Sequence, residues 1–211
     1  CFPYKFAPSV LKDYDKYPKS AFSNIFITRG CPNNCFFCGS RNIWSRRIRT
    51  RPVDHVIEEI KYLQGLGINR IQFIDDIFGG TKGNIYQLCN SIIQNCPGLK
   101  WSCEVHVNLV DGKIVDLMKM AGCYYIQIGV ESGNNEMLKR IRKGYTIDKA
   151  LSAAKIINKS GIVLTGFFIV GLPEETEKSL NDTFEAMKRF DGHIAYSIFT
   201  PFPGNEAFEF C

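Results

Sequence analysis

Residues 147–170 read IDKALSAAKIINKSGIVLTGFFIV, and this stretch decides the fold. Ile147, Ala150, Leu151, Ala154 and Ile157 recur at helical spacing and mark one apolar face. Gly161 stops that helix, and Val163–Val170 follows as an apolar run of strand length. A helix feeding directly into such a strand is half of a βαβ unit.

Working outward, the same alternation repeats in both directions. Upstream lie a strand at Tyr124–Val130, a helix on Ile114, Leu117, Met118 and Ala121, and a strand at Lys100–Val105. Before these come a helix on Ile85, Leu88, Cys89 and Ile92 and a strand at Ile71–Ile74 closed by Asp75 and Asp76. A helix with Pro52 at its start carries Val53, Val56, Ile57, Ile60 and Leu63, and Gly65 and Gly67 end it. The first strand is expected at Asn24–Thr28. Downstream come a helix carrying Leu180, Phe184 and Met187 and a last strand at Ala195–Phe199. Six strands alternating with five helical segments imply a parallel sheet with right-handed crossovers. A closed eight-fold barrel takes about 250 residues. The 211 residues here fit an open doubly wound sheet or a partial barrel. Residues 1–20 read as an irregular lead-in and 21–211 as one domain.

Composition narrows the function. The chain is 45% hydrophobic, 22% charged and 13% aromatic, which excludes disorder and low complexity. A net charge of +5 is too mild for a dedicated nucleic-acid binder. The longest apolar run, Ile162–Leu172, is too short for a membrane helix of about 18 residues or more. Nine cysteines cannot all pair within one chain, and the expected compartment is the reducing cytoplasm. The chain opens at Cys1 without a charged leader and is expected to be a segment of a longer protein.

In parallel α/β folds, ligands gather at the carboxyl ends of the strands. Here those ends carry Asp75–Asp76, then Ser102, Glu104 and His106 on one face, then Gln127, Gly129 and Glu131, and later Gly171-Leu172-Pro173. Alternation with Gln72 points Asp76 inward. Glu104 and His106 are the candidate catalytic residues. After the first strand comes Cys31-Pro-Asn-Asn-Cys35-Phe-Phe-Cys38. Three thiolates suit a cubane iron–sulfur cluster with one iron left free. Zinc completed by His106 or Cys103, stapling a binding scaffold, is the competing reading. Five arginines, Arg41, Arg46, Arg47, Arg49 and Arg51, follow the cysteines and read as a solvated loop accompanied by Trp44.

The C-x3-C-x2-C spacing with Phe37 before its last cysteine resembles the signature of the radical S-adenosylmethionine (SAM) enzymes. The ordered set Asp75–Asp76, Gly129-Val-Glu131-Ser-Gly133, Ile169–Thr176 and Thr200–Gly204 extends that resemblance over residues 22–205. It implies a six-stranded partial (β/α)6 barrel of the TIM type with a [4Fe–4S] cluster on Cys31, Cys35 and Cys38. SAM would bind the unique iron and be cleaved reductively to a 5′-deoxyadenosyl radical, or would support methyl transfer, on an unidentified substrate. Phe37 would meet adenine, Asp75 and Asp76 the methionine amine, and Glu131 the ribose or amino-acid part. Gly171 would lie against adenine, and Lys143 or Arg142 would meet the carboxylate.

Arg-Gly-Cys-Pro, Trp101-Ser-Cys103-Glu-Val-His106 and Gly-Leu-Pro-Glu-Glu-Thr resemble the branch often fused to a cobalamin-binding domain. His106 stands where that branch often has Arg. Many of its members are methyltransferases, and related cores modify transfer RNA by methylthiolation. No Asp-x-His-x-x-Gly motif is present, so any cobalamin would sit in a domain outside this chain. The partners implied are the substrate and a reducing electron donor such as a flavodoxin or ferredoxin. Nucleic acid is not an expected partner of this chain alone.

Overall fold

A computed structural model describes residues 22–211; the lead-in expected over residues 1–20, and Cys1, lie outside the described residues. The chain enters at β1 (Phe22–Ile25), then forms β2 (Thr28–Arg29), α1 (Ser40–Trp44) and β3 (Arg49–Thr50). Four helix–strand units follow: α2 (Val53–Gly65) with β4 (Arg70–Phe73), α3 (Lys82–Asn95) with β5 (Lys100–Glu104), α4 (Gly112–Met120) with β6 (Cys123–Glu131), and α5 (Asn135–Arg140) plus α6 (Ile147–Lys159) with β7 (Val163–Val170). The chain closes with α7 (Glu177–Arg189), β8 (His193–Ile198) and α8 (Glu206–Phe210).

The main sheet runs β1-β4-β5-β6-β7-β8 with every neighbouring pair parallel. Its two end strands do not pair with each other, so the sheet curves without closing. This is the α/β partial barrel expected. Helical stripes cover its outer face: Val53, Val56, Ile57, Ile60 and Leu63 of α2 are all buried. Burial of a side chain such as Ile60 or Leu63 contributes about 2 kcal/mol. At the centre Trp101 packs against Phe73 and Phe78 at ring distances of 5.4 and 5.1 Å. Its indole N–H donates to the Ala121 carbonyl at 2.7 Å, so the buried polar atom is satisfied.

Three elements differ from the sequence reading, each for a visible reason. The first strand breaks after Ile25. The Asp75 carboxylate takes the N–H groups of Ile27 and Thr28 and the Thr28 hydroxyl, while Arg51 N–H donates to the Ile27 carbonyl at 2.8 Å. Residues 28–29 therefore leave the main sheet and pair antiparallel with residues 49–50. The second difference is the short helix α5, started by Asn134 accepting from Met137 N–H at 2.9 Å.

The third is the face of α7. The expected stripe leaves Phe184 45% exposed, whereas Ser179, Thr183 and Ala186 are buried. The helix lies so close to Ser132–Gly133 that a Cβ on Gly133 would sit 2.2 Å from the Asp182 carbonyl oxygen. Only small side chains allow that approach. Thr183 Oγ1 accepts from Gly133 N–H at 3.0 Å and lies 3.1 Å from Ser132 Oγ.

Asp75 carries the first prediction. Asp75→Ala leaves the N–H groups of Ile27 and Thr28 buried without an acceptor and is expected to cost about 3 kcal/mol in urea unfolding. Burial pushes the Asp75 carboxyl up to about 6, because its hydrogen bonds to Thr28 and Ile27 offset the lost hydration only in part. The folded chain therefore holds this proton more tightly than the unfolded one. Its contribution to stability falls as pH rises from about 4 to about 6. Asp75→Asn should flatten that slope.

Candidate active site

The cysteine loop leaves β2 at Gly30 and ends at Ser40, the first residue of α1. Asp76, just beyond β4, holds both ends. Its Oδ2 accepts from Gly30 N–H at 2.9 Å and its Oδ1 from the Ser40 hydroxyl at 2.6 Å. Within the loop Cys38 N–H donates to the Cys35 carbonyl at 3.2 Å, and Asn33 Nδ2 donates to Cys31 Sγ at 3.4 Å. Phe36 N–H reaches the Ile141 carbonyl at 3.1 Å, and the Phe37 carbonyl accepts from Asn205 Nδ2 at 2.8 Å. The loop is thus tied to three separate parts of the fold.

The facing wall comes from β6 and the segment after α5. A register shift between Gly129 and Glu131 interrupts the regular β6–β7 pairing, which resumes at Glu131 opposite Phe168, and Glu131 adopts a φ of 68°. That left-handed backbone is costly for a residue with a side chain. It places the carboxylate 2.9 Å from Lys143 Nζ, with both side chains about 10% exposed or less. Gly129 gives the pair room, since a Cβ there would meet Glu131 Oε1 at 2.2 Å. Lys143 lies over the Phe37 and Tyr145 rings at 5.8 and 5.7 Å. Burial alone would push its ammonium down, yet Glu131 with Tyr145 and Cys35 holds it above its ordinary value. The Tyr145 hydroxyl donates to the Gly129 carbonyl.

Cys31, Cys35, Cys38, Phe37, Asp76, Glu104, His106, Glu131 and Lys143 line one cavity of about 130 Å³. Burial pushes the Cys31 and Cys35 thiols up, with Lys143 drawing Cys35 partly back. Burial also raises Glu104, reinforced by Glu131 and opposed by Lys143. His106 is lowered to about 4 by burial and by Lys143 and Lys149, so the ring is neutral at pH 7. Its Nδ1 accepts from Asn108 N–H at 3.2 Å, which leaves the proton on Nε2. That atom has no partner among the described residues.

Two expected residues stand apart from this cavity. Asp75 spends its Oδ1 on residues 27 and 28 and does not line it. Gly171 turns the chain after β7 with a φ of 78° and donates to Glu175 Oε2 at 2.6 Å. Among the chain's own atoms a Cβ there would meet only Ile198, at 3.9 Å. Arg142, the alternative to Lys143, pairs instead with Glu206 at 2.5 Å. Ser40, Tyr145 and Asn205 were not found by sequence reasoning. Each acts through a partner distant in sequence, and no local spacing marks it.

The donor set suits a cluster better than a single ion. The three cysteines are free thiols on one cavity, and among the described residues no three His, Cys, Asp or Glu side chains converge on one ion position. A cubane spreads its thiolates over three irons. Cys103, the other zinc ligand considered, is buried in the core near Cys123 and Cys89. Burial pushes the Cys103 thiol up and Cys89 up to about 12, which disfavours the thiolate that metal binding needs. Among the described residues no helix is long and apolar enough to cross a membrane.

Comparison with known proteins bears on this geometry. The family model described as the radical SAM superfamily matches residues 25–187. An uncharacterised methyltransferase of Pyrococcus horikoshii is 34% identical over 200 residues, covering 93% of this chain and 44% of the relative. Bacteriochlorophyllide d C-12(1)-methyltransferase of Chlorobaculum tepidum is 28% identical over 191 residues, covering 88% and 41%. The chain thus spans about two fifths of the length of these relatives. In fold it is similar to the radical SAM methyltransferase TsrM of Kitasatospora setae, solved with cobalamin and a [4Fe–4S] cluster bound. The TM-score is 0.83 at 20% identity, covering 92% of this chain and 40% of that one.

Proposed function

Because this chain belongs to the radical SAM superfamily, we propose that Cys31, Cys35 and Cys38 hold a [4Fe–4S] cluster and that residues 21–211 form the core of a methyl-transferring enzyme. The observation that carries the reading is the meeting of three free thiols with Asp76, Glu104 and the Glu131–Lys143 pair on one cavity. A [4Fe–4S] cluster held by these three cysteines would supply the electron for reductive cleavage of SAM.

The chain's own residues bind and orient. Asp76 fixes the loop and keeps lone pairs for the methionine ammonium, since a carboxylate can accept more than its two present bonds. Lys143, held charged by Glu131, meets the SAM carboxylate; Glu131 meets the ribose; Phe37 meets adenine. Glu104 and the Nε2–H of neutral His106 lie on the same wall and orient the substrate. Asp75 and Gly171 support the site from outside it.

Methyl transfer is favoured by the names of the relatives, and any cobalamin would be carried by a domain outside this chain. The electron donor is a flavodoxin or ferredoxin. The compartment is the cytoplasm, consistent with the free thiols. Nucleic acid is not a partner of this chain by itself.

The test is anaerobic reconstitution followed by iron and sulfide analysis and electron paramagnetic resonance of the reduced protein. About four irons per chain and a spectrum that changes on adding SAM are expected. Zinc in place of iron, or a spectrum indifferent to SAM, would sink the reading.

A further inference from the structure

Beside the cysteine loop, the outer surface carries a charge arrangement that the fold does not need. Arg29 and Arg49 stand directly opposite each other in the β2–β3 ribbon, where like charges are destabilising. Both are exposed. Their guanidinium groups lie over the Trp44 ring at 5.3 and 5.6 Å, so the indole is shared by two cations. Arg29 also lies 5.3 Å from the Phe26 ring, and Arg49 donates to the Trp44 carbonyl at 3.5 Å. Arg46 and Arg47, in the segment leading into β3, are exposed as well.

Among the described residues none of these four arginines forms an ion pair, whereas Arg51 is bound to Glu59 at 2.7 Å. The aromatic contacts hold Arg29 and Arg49 in place without neutralising either. Among the described residues, therefore, no carboxylate supplies their counter-charge. Arg29 and Arg49 also line, with Phe26, Thr28, Thr50 and Arg51, a half-open recess of about 320 Å³. The exposed Arg46 and Arg47 carry the positive charge beyond that recess, a spread that suits the carboxylates of a macromolecule better than a small anion. The patch is also continuous with the cysteine loop. Arg29 directly precedes Gly30, and the Arg47 carbonyl lies where a Cβ on Gly30 would be only 2.4 Å away.

We infer that Arg29, Trp44 and Arg49, with Arg46 and Arg47, form the docking surface for an acidic one-electron carrier protein of the flavodoxin or ferredoxin class. The inference rests on the proposed function, in which each reductive cleavage consumes one electron. The carrier loses that electron and the cluster gains it. A carrier seated here touches the backbone that carries Cys31, so the electron enters beside its acceptor. Carboxylates arriving at this surface relieve the repulsion between Arg29 and Arg49 and are steered there by the unpaired positive field.

The test uses the cluster-loaded chain and a flavodoxin. One pair of substitutions is Arg29→Gln with Arg49→Gln. The other is Arg46→Glu with Arg47→Glu, which leaves the Trp44 stack untouched. Calorimetry should show the flavodoxin Kd rising about tenfold in each. Wild-type binding should weaken between about 50 and about 300 mM salt. SAM cleavage driven by dithionite, which needs no docking surface, should stay within about twofold of wild type.

Unchanged flavodoxin affinity in both variants would overturn the inference. So would unchanged affinity for flavodoxin accompanied by loss of binding to an RNA oligonucleotide, which would assign the surface to nucleic acid. Failure of the wild type to cleave SAM with dithionite would instead bring down the proposed function, and this inference with it.

Discussion

Replacing Cys35 by Ala is expected to drop bound iron from about four per chain to below about one after anaerobic reconstitution. SAM cleavage should fall below detection. The loop is hydrogen-bonded to the rest of the fold through Asp76, Ile141 and Asn205, and none of these bonds uses the Cys35 thiol. The circular dichroism of the variant should therefore match wild type, separating lost metal from lost fold. Alanine is the informative choice, because serine can still offer an oxygen ligand. Cys31→Ala and Cys38→Ala should behave alike. Cys103→Ala, deep in the core, should melt earlier yet keep its iron. Full iron in Cys35→Ala, or lost iron in Cys103→Ala, would contradict the assignment of ligands.

Lys143→Met has the next largest expected effect. It strands the Glu131 carboxylate in a site about 9% exposed. Breaking a buried ion pair from one side costs about 3–5 kcal/mol, because the remaining charge has lost its hydration as well as its partner. Glu131→Gln should cost somewhat less, since the amide oxygen can still accept from Lys143. The double variant should be more stable than the sum of the two losses, and a urea double-mutant cycle reads that coupling directly. Independent, additive losses would mean that the 2.9 Å contact does not join the two charges in solution.

The parallel sheet and most of the helices were legible because burial writes a period into the chain. Val163–Val170 appears with the bounds expected, and every residue of the Val53–Leu63 stripe is buried. The α7 face was misread because hydrophobicity and burial part company there. Close packing on Gly133 selects Ser179, Thr183 and Ala186 by size, while the larger Phe184 is left exposed. The break after β1 was invisible because its cause, Asp75, lies far along the chain.

The cysteines and the rim carboxylates could be read from local spacing and from alternation along strands. Pairing could not. Nothing local says that Glu131 meets Lys143, or that Asn205 closes on the Phe37 carbonyl. The arginine strip was read as solvated because a lone Trp44 is a weak platform in sequence. In three dimensions that one ring serves two guanidinium groups.

The clasp that Asp76 makes between Gly30 and Ser40 turns residues 30–40 into a ring closed without a covalent bond. Closing a loop of this size in a free chain would cost a few kcal/mol of chain entropy, on the order of (3/2)RT ln n plus a constant. Here folding has already met that cost before any iron arrives. On the proposed assignment the thiols would then act as a chelate rather than as three separate ligands, and less of the metal's binding energy would go into ordering the chain. Asp76 would thus raise the affinity of the loop for a cluster through its bonds to Gly30 and Ser40 alone.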